Sequence, residues 1–515
     1  MNCEIINMTS IYQDSSQCIC PNQFNLAEYV LESSSENPNK NALEIISKTS
    51  QRSLSYNQLK RRVLTTGNAL LKLGIMPGDK ILFRLENTVT FPIAYLGAIS
   101  VGIIPVPTSS NLTEYEFGEL EKIIQPQAII TSKPVNIRQA NIQIISAKDI
   151  ENLSLGNEQA NFIRGDPNRL AYIVFTSGTS GQPQAVRHAH RAIWARQSMY
   201  SDWYSLTQND RLLHSGAFNW TYTLGTGLLD PWTIGATSIV LENNSPISDL
   251  PHIIKNSEAT LFAAVPGIYR KLLEQKEKLE FPKLRHCLSA GEKLSQSIHD
   301  RWEKQTNTFI YEAFGMSECS TFISTNKKMG QNVNIIGRPQ KGRRVAIINQ
   351  TSYQPVQLGE IGLICISSKD EGLMIGYTNQ NDIRANNKEW FATGDLGKMS
   401  TEGFIEYFGR ADDTLNQGGF RVSPTEIENA FEDLTGLDRI VVFNLEIKQD
   451  TNVIAAMFET SMELNEEDLK KHAKYRLASY KTPRVFIKSE AIPTSNNGKI
   501  SRKNLSKIVK GLRSG

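Results

Sequence analysis

The stretch Thr176-Ser177-Gly178-Thr179-Ser180-Gly181-Gln182-Pro183, entered from the apolar run Ala171-Tyr172-Ile173-Val174-Phe175, decides how this chain is read. An apolar, β-branched and aromatic run that halts at a Gly- and hydroxyl-rich turn predicts a buried strand delivering a loop. The glycines let backbone N–H groups come close to an anion, and four hydroxyls add further donors, so the loop suits phosphate. It is not a Walker loop, because no Gly-Lys-Ser/Thr follows. The same composition also describes an ordinary surface turn. The rest of the chain has to decide between them.

With 515 residues the chain is too long for one ordinary core, so two to four folded units are expected. Hydrophobic residues make up 40% and charged residues 21%, the balance of a globular protein rather than a disordered or fibrous one. A formal net charge of +3 gives no reason to expect nucleic acid as a partner. Residues 1–16 lack a basic start and an apolar core, so no signal peptide is expected and the cytoplasm is the expected compartment. The uncharged stretch from Phe91 to Leu112 is long enough for a membrane span. Gly102 and Pro105 punctuate it, however, and predict a buried helix turning into a buried strand. Six scattered cysteines, with Cys18-Ile19-Cys20 too tight for the usual metal spacing, predict buried thiols in a reducing compartment. His188 and His190 are close but lack a third ligand nearby.

Along the chain, residues 1–22 read as a loose extension. From there helical patterns such as Tyr56–Val63 alternate with short apolar strands around 80–83, 128–130, 238–241 and 261–265. Alternation on this scale predicts α/β layers with mostly parallel sheets. Between Gly337 and Phe408 the texture changes to short strands separated by Gly turns, which predicts a β-rich lobe. A boundary falls near Gly409-Arg410-Ala411-Asp412-Asp413. The domains are therefore expected at 23–409 and 410–515. In the second, Ser423-Pro424-Thr425-Glu426 predicts a helix start with a capping box.

Four further segments carry chemistry. In Phe314-Gly315-Met316-Ser317-Glu318, an aromatic ring can lie on a base, Ser317 can bond a phosphate and Glu318 can hold Mg²⁺. A buried strand with a capping Glu is the plain alternative. In Thr393-Gly394-Asp395, an ionised carboxylate in a Gly turn can accept from two ribose hydroxyls, although an Asx turn has the same sequence. Arg410 is close enough in sequence to reach the same ribose, and the glycines Gly418 and Gly419 suit a hinge region or a plain linker. In Pro493-Thr494-Ser495-Asn496-Asn497-Gly498-Lys499, a Lys stands on a Gly turn, placed to swing into a cleft or simply to be solvated.

The order of these segments resembles the adenylate-forming superfamily of acyl- and aryl-CoA synthetases, peptide-synthetase adenylation domains and luciferases. The resemblance runs from Phe24 to Arg502. Ser215 to Asp230 and Ser317 to Asn326 look most like benzoate-CoA ligases and medium-chain acyl-CoA synthetases.

The resemblance implies a large multi-lobed α/β N-terminal domain and a small mobile α+β C-terminal domain. It also implies an ATP- and Mg²⁺-dependent acid–thiol ligase with coenzyme A as acceptor. A carrier-protein phosphopantetheine and a nucleotide-binding pseudoenzyme are the alternatives. Thr176 to Gly181 would hold the β- and γ-phosphates, Glu318 the metal, and Asp395 with Arg410 the ribose. Phe314 and Gly315 would face Gly291 and Glu292, in Ser289-Ala290-Gly291-Glu292-Lys293, across the adenine. Lys499 would bridge carboxylate and phosphate, Asp413 would be the hinge, and Gly418 and Gly419 would let pantetheine pass. Trp220, Tyr222, Cys319 and Thr321 would line the pocket for a small carboxylic acid. Three departures stand out: Gln184 and Asn416 replace the usual lysines, and Phe314 replaces the usual Tyr.

Overall fold

The computed structural model describes residues 3–5, 9–14, 19–136, 141–177, 183–275, 278–327, 329, 335–378, 380, 382–385, 388–413, 415–417, 420–448, 451–477, 481–494 and 500–514. Among these, the α/β alternation builds one long mixed sheet of fifteen strands. Its centre is parallel: Asn41–Ile46, Thr237–Leu241, Arg211–His214, Leu261–Ala264, His286–Ala290 and Ile310–Met316 lie side by side. Strands buried on both faces need continuous apolar runs, and Leu261–Ala264 and His286–Ala290 are buried at every position. Beyond Ile310–Met316 the pairing turns antiparallel through Ser320–Ser324, Ile335–Pro339, Ile405–Arg410, Trp390–Met399, Ile361–Ser367 and Arg344–Ile348. The β-rich lobe is thus the antiparallel half of that sheet.

A second, fully parallel sheet joins Ile104–Pro107, Lys80–Arg84, Ala128–Thr131 and Gln143–Ser146. The uncharged stretch beginning at Phe91 forms the wholly buried helix Thr90–Ser100 followed by the buried strand Ile104–Pro107, as its punctuation predicts. Among the described residues no helix is long and apolar enough to cross a membrane. Beyond residue 413, Leu437–Lys448, Thr451–Thr460 and Val485–Lys488 form a small sheet, with Arg502–Ser514 among its helices.

Two expectations are corrected. The start of the chain is not loose throughout. Ile11–Asp14 pairs with Arg344–Ile348, Cys3–Ile5 pairs with it in turn, and Tyr12 is buried in the lobe's core. An open sheet edge offers unpaired N–H and C=O groups, and this segment covers it. At the helix Pro424–Asn429, Ser423 Oγ accepts from the Glu426 amide at 3.4 Å, but the Glu426 carboxylate pairs with Lys481 instead of closing a capping box.

Candidate active site

The strands on either side of the Ser/Thr/Gly loop pair with each other. Leu170–Ser177 runs antiparallel to Pro183–Ala189, with Thr176 opposite Gln184 and Ser177 opposite Pro183. Thr176 is half-buried near the end of the first of these strands. Residues Gly178, Thr179, Ser180 and Gly181 lie outside the described residues, as do Gly418, Gly419 and Lys499, and so do the side chains of Ser177 and Asn416. Gly376–Tyr377 adds a third strand, with Tyr377 opposite Val186. Arg187 is tied to it: Nη2 donates to Gln380 O at 2.6 Å and Nε to Gly376 O at 3.4 Å.

Glu318 belongs to a second hairpin. Ile310–Met316 returns as Ser320–Ser324 through the turn Ser317-Glu318-Cys319, with a bulge between Phe314 and Gly315. The hairpin is closed so tightly that a Cβ on Gly315 would lie 2.2 Å from Ser320 O. The turn is held to the first hairpin by its neighbours. Met374 N donates to Glu318 O at 2.7 Å, Tyr377 Oη donates to Glu318 Oε1 at 2.8 Å, and His188 Nε2 lies 2.8 Å from Ser317 O. The Glu318 carboxylate is thus fixed beside the strand that carries Gln184. Its remaining lone pairs suit a hard cation such as Mg²⁺, so this residue fits the metal that the resemblance implies. Burial, and after it the nearby glutamate, pushes the Tyr377 hydroxyl above its usual pKa.

Phe314 and Gly291 leave neighbouring parallel strands at the same level, because Ala313 is opposite Ala290. Gly291 adopts φ +100°, a conformation that side chains rarely take, and the space beside it is open except for Val265. The Phe314 ring packs edge-on to Phe322 with centroids 5.6 Å apart and stands 5.9 Å from Tyr407. Glu292 follows Gly291 in the same turn.

Asp395 and Arg410 are cross-strand partners. Arg410 Nη1 lies 3.3 Å from Asp395 Oδ2 and also donates to Thr393 O at 2.9 Å, while Tyr407 Oη donates to Asp395 Oδ1 at 3.0 Å. Burial pushes the Asp395 carboxyl above its usual range, against the pull of Arg410 and Tyr407. Asp413 Oδ2 lies 3.1 Å from Arg502 Nη1, and Arg502 Nη2 reaches both oxygens of Glu428 at 2.9 Å.

A cavity lies between the segment carrying Trp220 and Tyr222 and the turn carrying Ser317. Its walls include Thr221, Leu224, Gly225 and Ser320. None of Trp220, Tyr222, Cys319 and Thr321 lines it. Tyr222 instead stacks on Trp203 and donates to Leu288 O at 3.2 Å. Cys319 is core, packed with Phe322 and Ile323, its thiol 3.7 Å from Asp370 Oδ1. Thr321 is buried with its hydroxyl on Met199. The reason is alternation along the returning strand, where Ser320, at φ +63°, takes the cavity-facing position. Sequence reasoning did not single out Tyr377, Tyr407, Tyr95 or Arg196. For Arg196 there was a signal, a lone charge in Ala192-Ile193-Trp194-Ala195-Arg196.

The chain belongs to the AMP-binding enzyme family, whose profile matches residues 30–378. It is 25% identical over 473 residues to a benzoate–CoA ligase of Thauera aromatica, covering 87% of this chain and 90% of that one. It is 28% identical over 495 residues to tyrocidine synthase 3 of Brevibacillus parabrevis, covering 92% of this chain but 7% of that protein. Its fold matches a benzoate CoA ligase structure from Burkholderia xenovorans LB400 with a TM-score of 0.85 at 24% identity, over 94% of this chain and all of that one. The resemblance read from the motifs and the expected α/β fold are both borne out.

Proposed function

We propose that this protein joins a small carboxylic acid to the thiol of coenzyme A, at the expense of ATP and through an acyl-adenylate. In the first step a carboxylate oxygen attacks the α-phosphorus and the bond to the bridging oxygen breaks, so pyrophosphate leaves with the electron pair. In the second, the thiol sulfur attacks the acyl carbon, the bond to AMP breaks and the thiol proton is lost to solvent. The observation that carries this reading is the convergence of the Thr176 hairpin and the Glu318 turn through Tyr377.

Each residue has a stated part. Thr176, Ser177 and the hydroxyl loop to Gly181 hold the outer phosphates, and Ser317 adds a donor beside Glu318. A bound Mg²⁺ would offset charge on the phosphate oxygens, and Glu318 holds it. Asp395 has lone pairs to spare for ribose hydroxyls after accepting from Tyr407 and Arg410. Phe314 and the turn from Ser289 to Lys293, with Gly291 and Glu292, flank the base. Lys499 bridges carboxylate and phosphate oxygens, the domain beyond residue 409 turns about Asp413, and Gly418 and Gly419 leave room for pantetheine. Cys287, Cys319 and Cys365 are buried free thiols, which supports a reducing, cytoplasmic setting.

The test is to incubate the protein with ATP, Mg²⁺, coenzyme A and single carboxylic acids, and to follow AMP and thioester together. AMP and acyl-CoA formed in equal amounts support the reading. AMP released with thioester only on an added phosphopantetheinyl carrier protein replaces coenzyme A with a carrier. No acid-dependent AMP at all overturns it.

A further inference from the structure

The cavity beside Ser317 has apolar walls, among them Leu26, Ile193 and Leu224, with polar residues between them. Tyr95 and His188 are among these, and both are at least 98% buried. The Tyr95 hydroxyl and His188 Nδ1 have no hydrogen-bond partner. Buried polar atoms are nearly always satisfied, so two orphans on side chains that line one cavity point to a ligand. Their chemistry says which kind. Ser317 O can only accept, so His188 Nε2 carries the proton and Nδ1 is left as a bare acceptor. Burial lowers His188 to about 4, and the ring is neutral at pH 7. Its orientation is fixed by stacking on Tyr172, with centroids 4.8 Å apart, and the Tyr95 ring stands 6.1 Å from that of Tyr172.

Arg196 also lines the cavity, but its charge is already taken. Nε and Nη2 grip the two oxygens of Asp230 at 2.8 and 2.6 Å, and Tyr204 donates to the same carboxylate at 2.7 Å. This close approach is possible because a Cβ on Gly225 would fall 2.4 Å from the guanidinium. A second anion in the cavity would therefore meet a pair that is already neutral, with no other cation among the described residues that line it.

We propose that the acid taken into this cavity carries a neutral hydroxyl group that donates to His188 Nδ1 and accepts from the Tyr95 hydroxyl, with its carbon frame against the apolar walls. This rests on the acid-activating reading above. A site built to bond a hydroxyl discriminates strongly against the analogue that lacks it, since the orphaned groups then stay unpaired.

The experiment titrates the full-length protein calorimetrically with matched acids: benzoate against its monohydroxy isomers, and butanoate against 3- and 4-hydroxybutanoate. The same acids are then assayed for pyrophosphate exchange into ATP. At least one hydroxylated acid should bind about ten-fold or more tightly than its parent. Tyr95→Phe and His188→Leu should each shrink that ratio, and His188→Gln, which keeps an acceptor, should restore part of it. Tyr95→Phe removes a single oxygen and serves if His188→Leu fails to fold. Parents bound as well as hydroxylated acids in both series, or a ratio unmoved by Tyr95→Phe, overturns the proposal. Exchange without hydroxyl preference overturns this proposal alone. Hydroxyl preference without exchange overturns the acid-activating reading alone.

Discussion

Asp395 and Arg410 face each other across adjacent antiparallel strands, with Oδ2 and Nη1 3.3 Å apart, and Tyr407 secures the other carboxylate oxygen. The carboxylate is therefore oriented before any ligand arrives. Asp395→Asn keeps the shape but turns one acceptor into a donor. It should raise the KM for ATP, and by the cost of a charge-assisted hydrogen bond lower kcat/KM about 10- to 100-fold. Steady-state kinetics with varied ATP checks this; an unchanged KM would remove Asp395 from the nucleotide site.

The Glu318–Tyr377 contact separates a metal holder from the group that positions it. Glu318→Gln should lower adenylation by roughly 10²–10³ and raise the Mg²⁺ concentration needed for half-maximal rate. Tyr377→Phe leaves the charge in place and should cost only several-fold, with the same Mg²⁺ dependence. Titrating Mg²⁺ at saturating ATP distinguishes them. Equal effects of both variants would contradict the separation.

Asp413 follows the last strand of the long sheet and is bound to Arg502, which also holds Glu428. Asp413→Pro fixes φ and removes a backbone donor. If the pivot is here, adenylate formation persists while thioester transfer falls by at least about ten-fold. Rapid-quench measurement of each half-reaction decides, and intact transfer from preformed adenylate would move the pivot elsewhere.

Acid sensitivity should come from buried histidines. Burial lowers His190 and His214 to about 3, and His188 and His286 to about 4, from 6.5. His190 Nδ1 accepts from Leu26 N at 3.0 Å and His214 Nδ1 from Gly216 N at 2.9 Å, bonds that a proton would break. Below pH 6.5 the unfolded chain takes up protons that the folded chain refuses. Stability is therefore lost as pH falls from 6.5 toward 4, by about 1.4 kcal/mol per pH unit per fully titrating histidine. Urea midpoints at pH 7.5, 6.5 and 5.5 should fall a little between the first two and much further at the third, with a smaller drop for His190→Gln. A flat profile to pH 5.5 would contradict this.

Much of the architecture was legible because its signals are local. The punctuation at Gly102 and Pro105 marks the passage from helix to strand, and the run ending at Phe175 marks a strand. What could not be read depends on pairing between distant segments. The strand Ile11–Asp14 is short and unremarkable until the edge strand Arg344–Ile348 supplies its partner. That the strand ending at Ser177 pairs with Pro183–Ala189 follows from their register, which an apolar run does not encode. The resemblance of the segment Ser317 to Asn326 puts Cys319 and Thr321 in the pocket, but the bulge at Gly315 and the left-handed turn at Ser320 leave both buried away from the cavity lining.

The central claim is that ATP and a carboxylic acid react reversibly on this protein. Exchange of labelled pyrophosphate into ATP, run without coenzyme A, tests it most directly, with the wild type beside Lys499→Ala. Exchange that depends on added acid and on Mg²⁺, and that falls by roughly 10²–10³ in the variant, is the predicted result. No acid-dependent exchange by the wild type, over the benzoate and butanoate series, would contradict it.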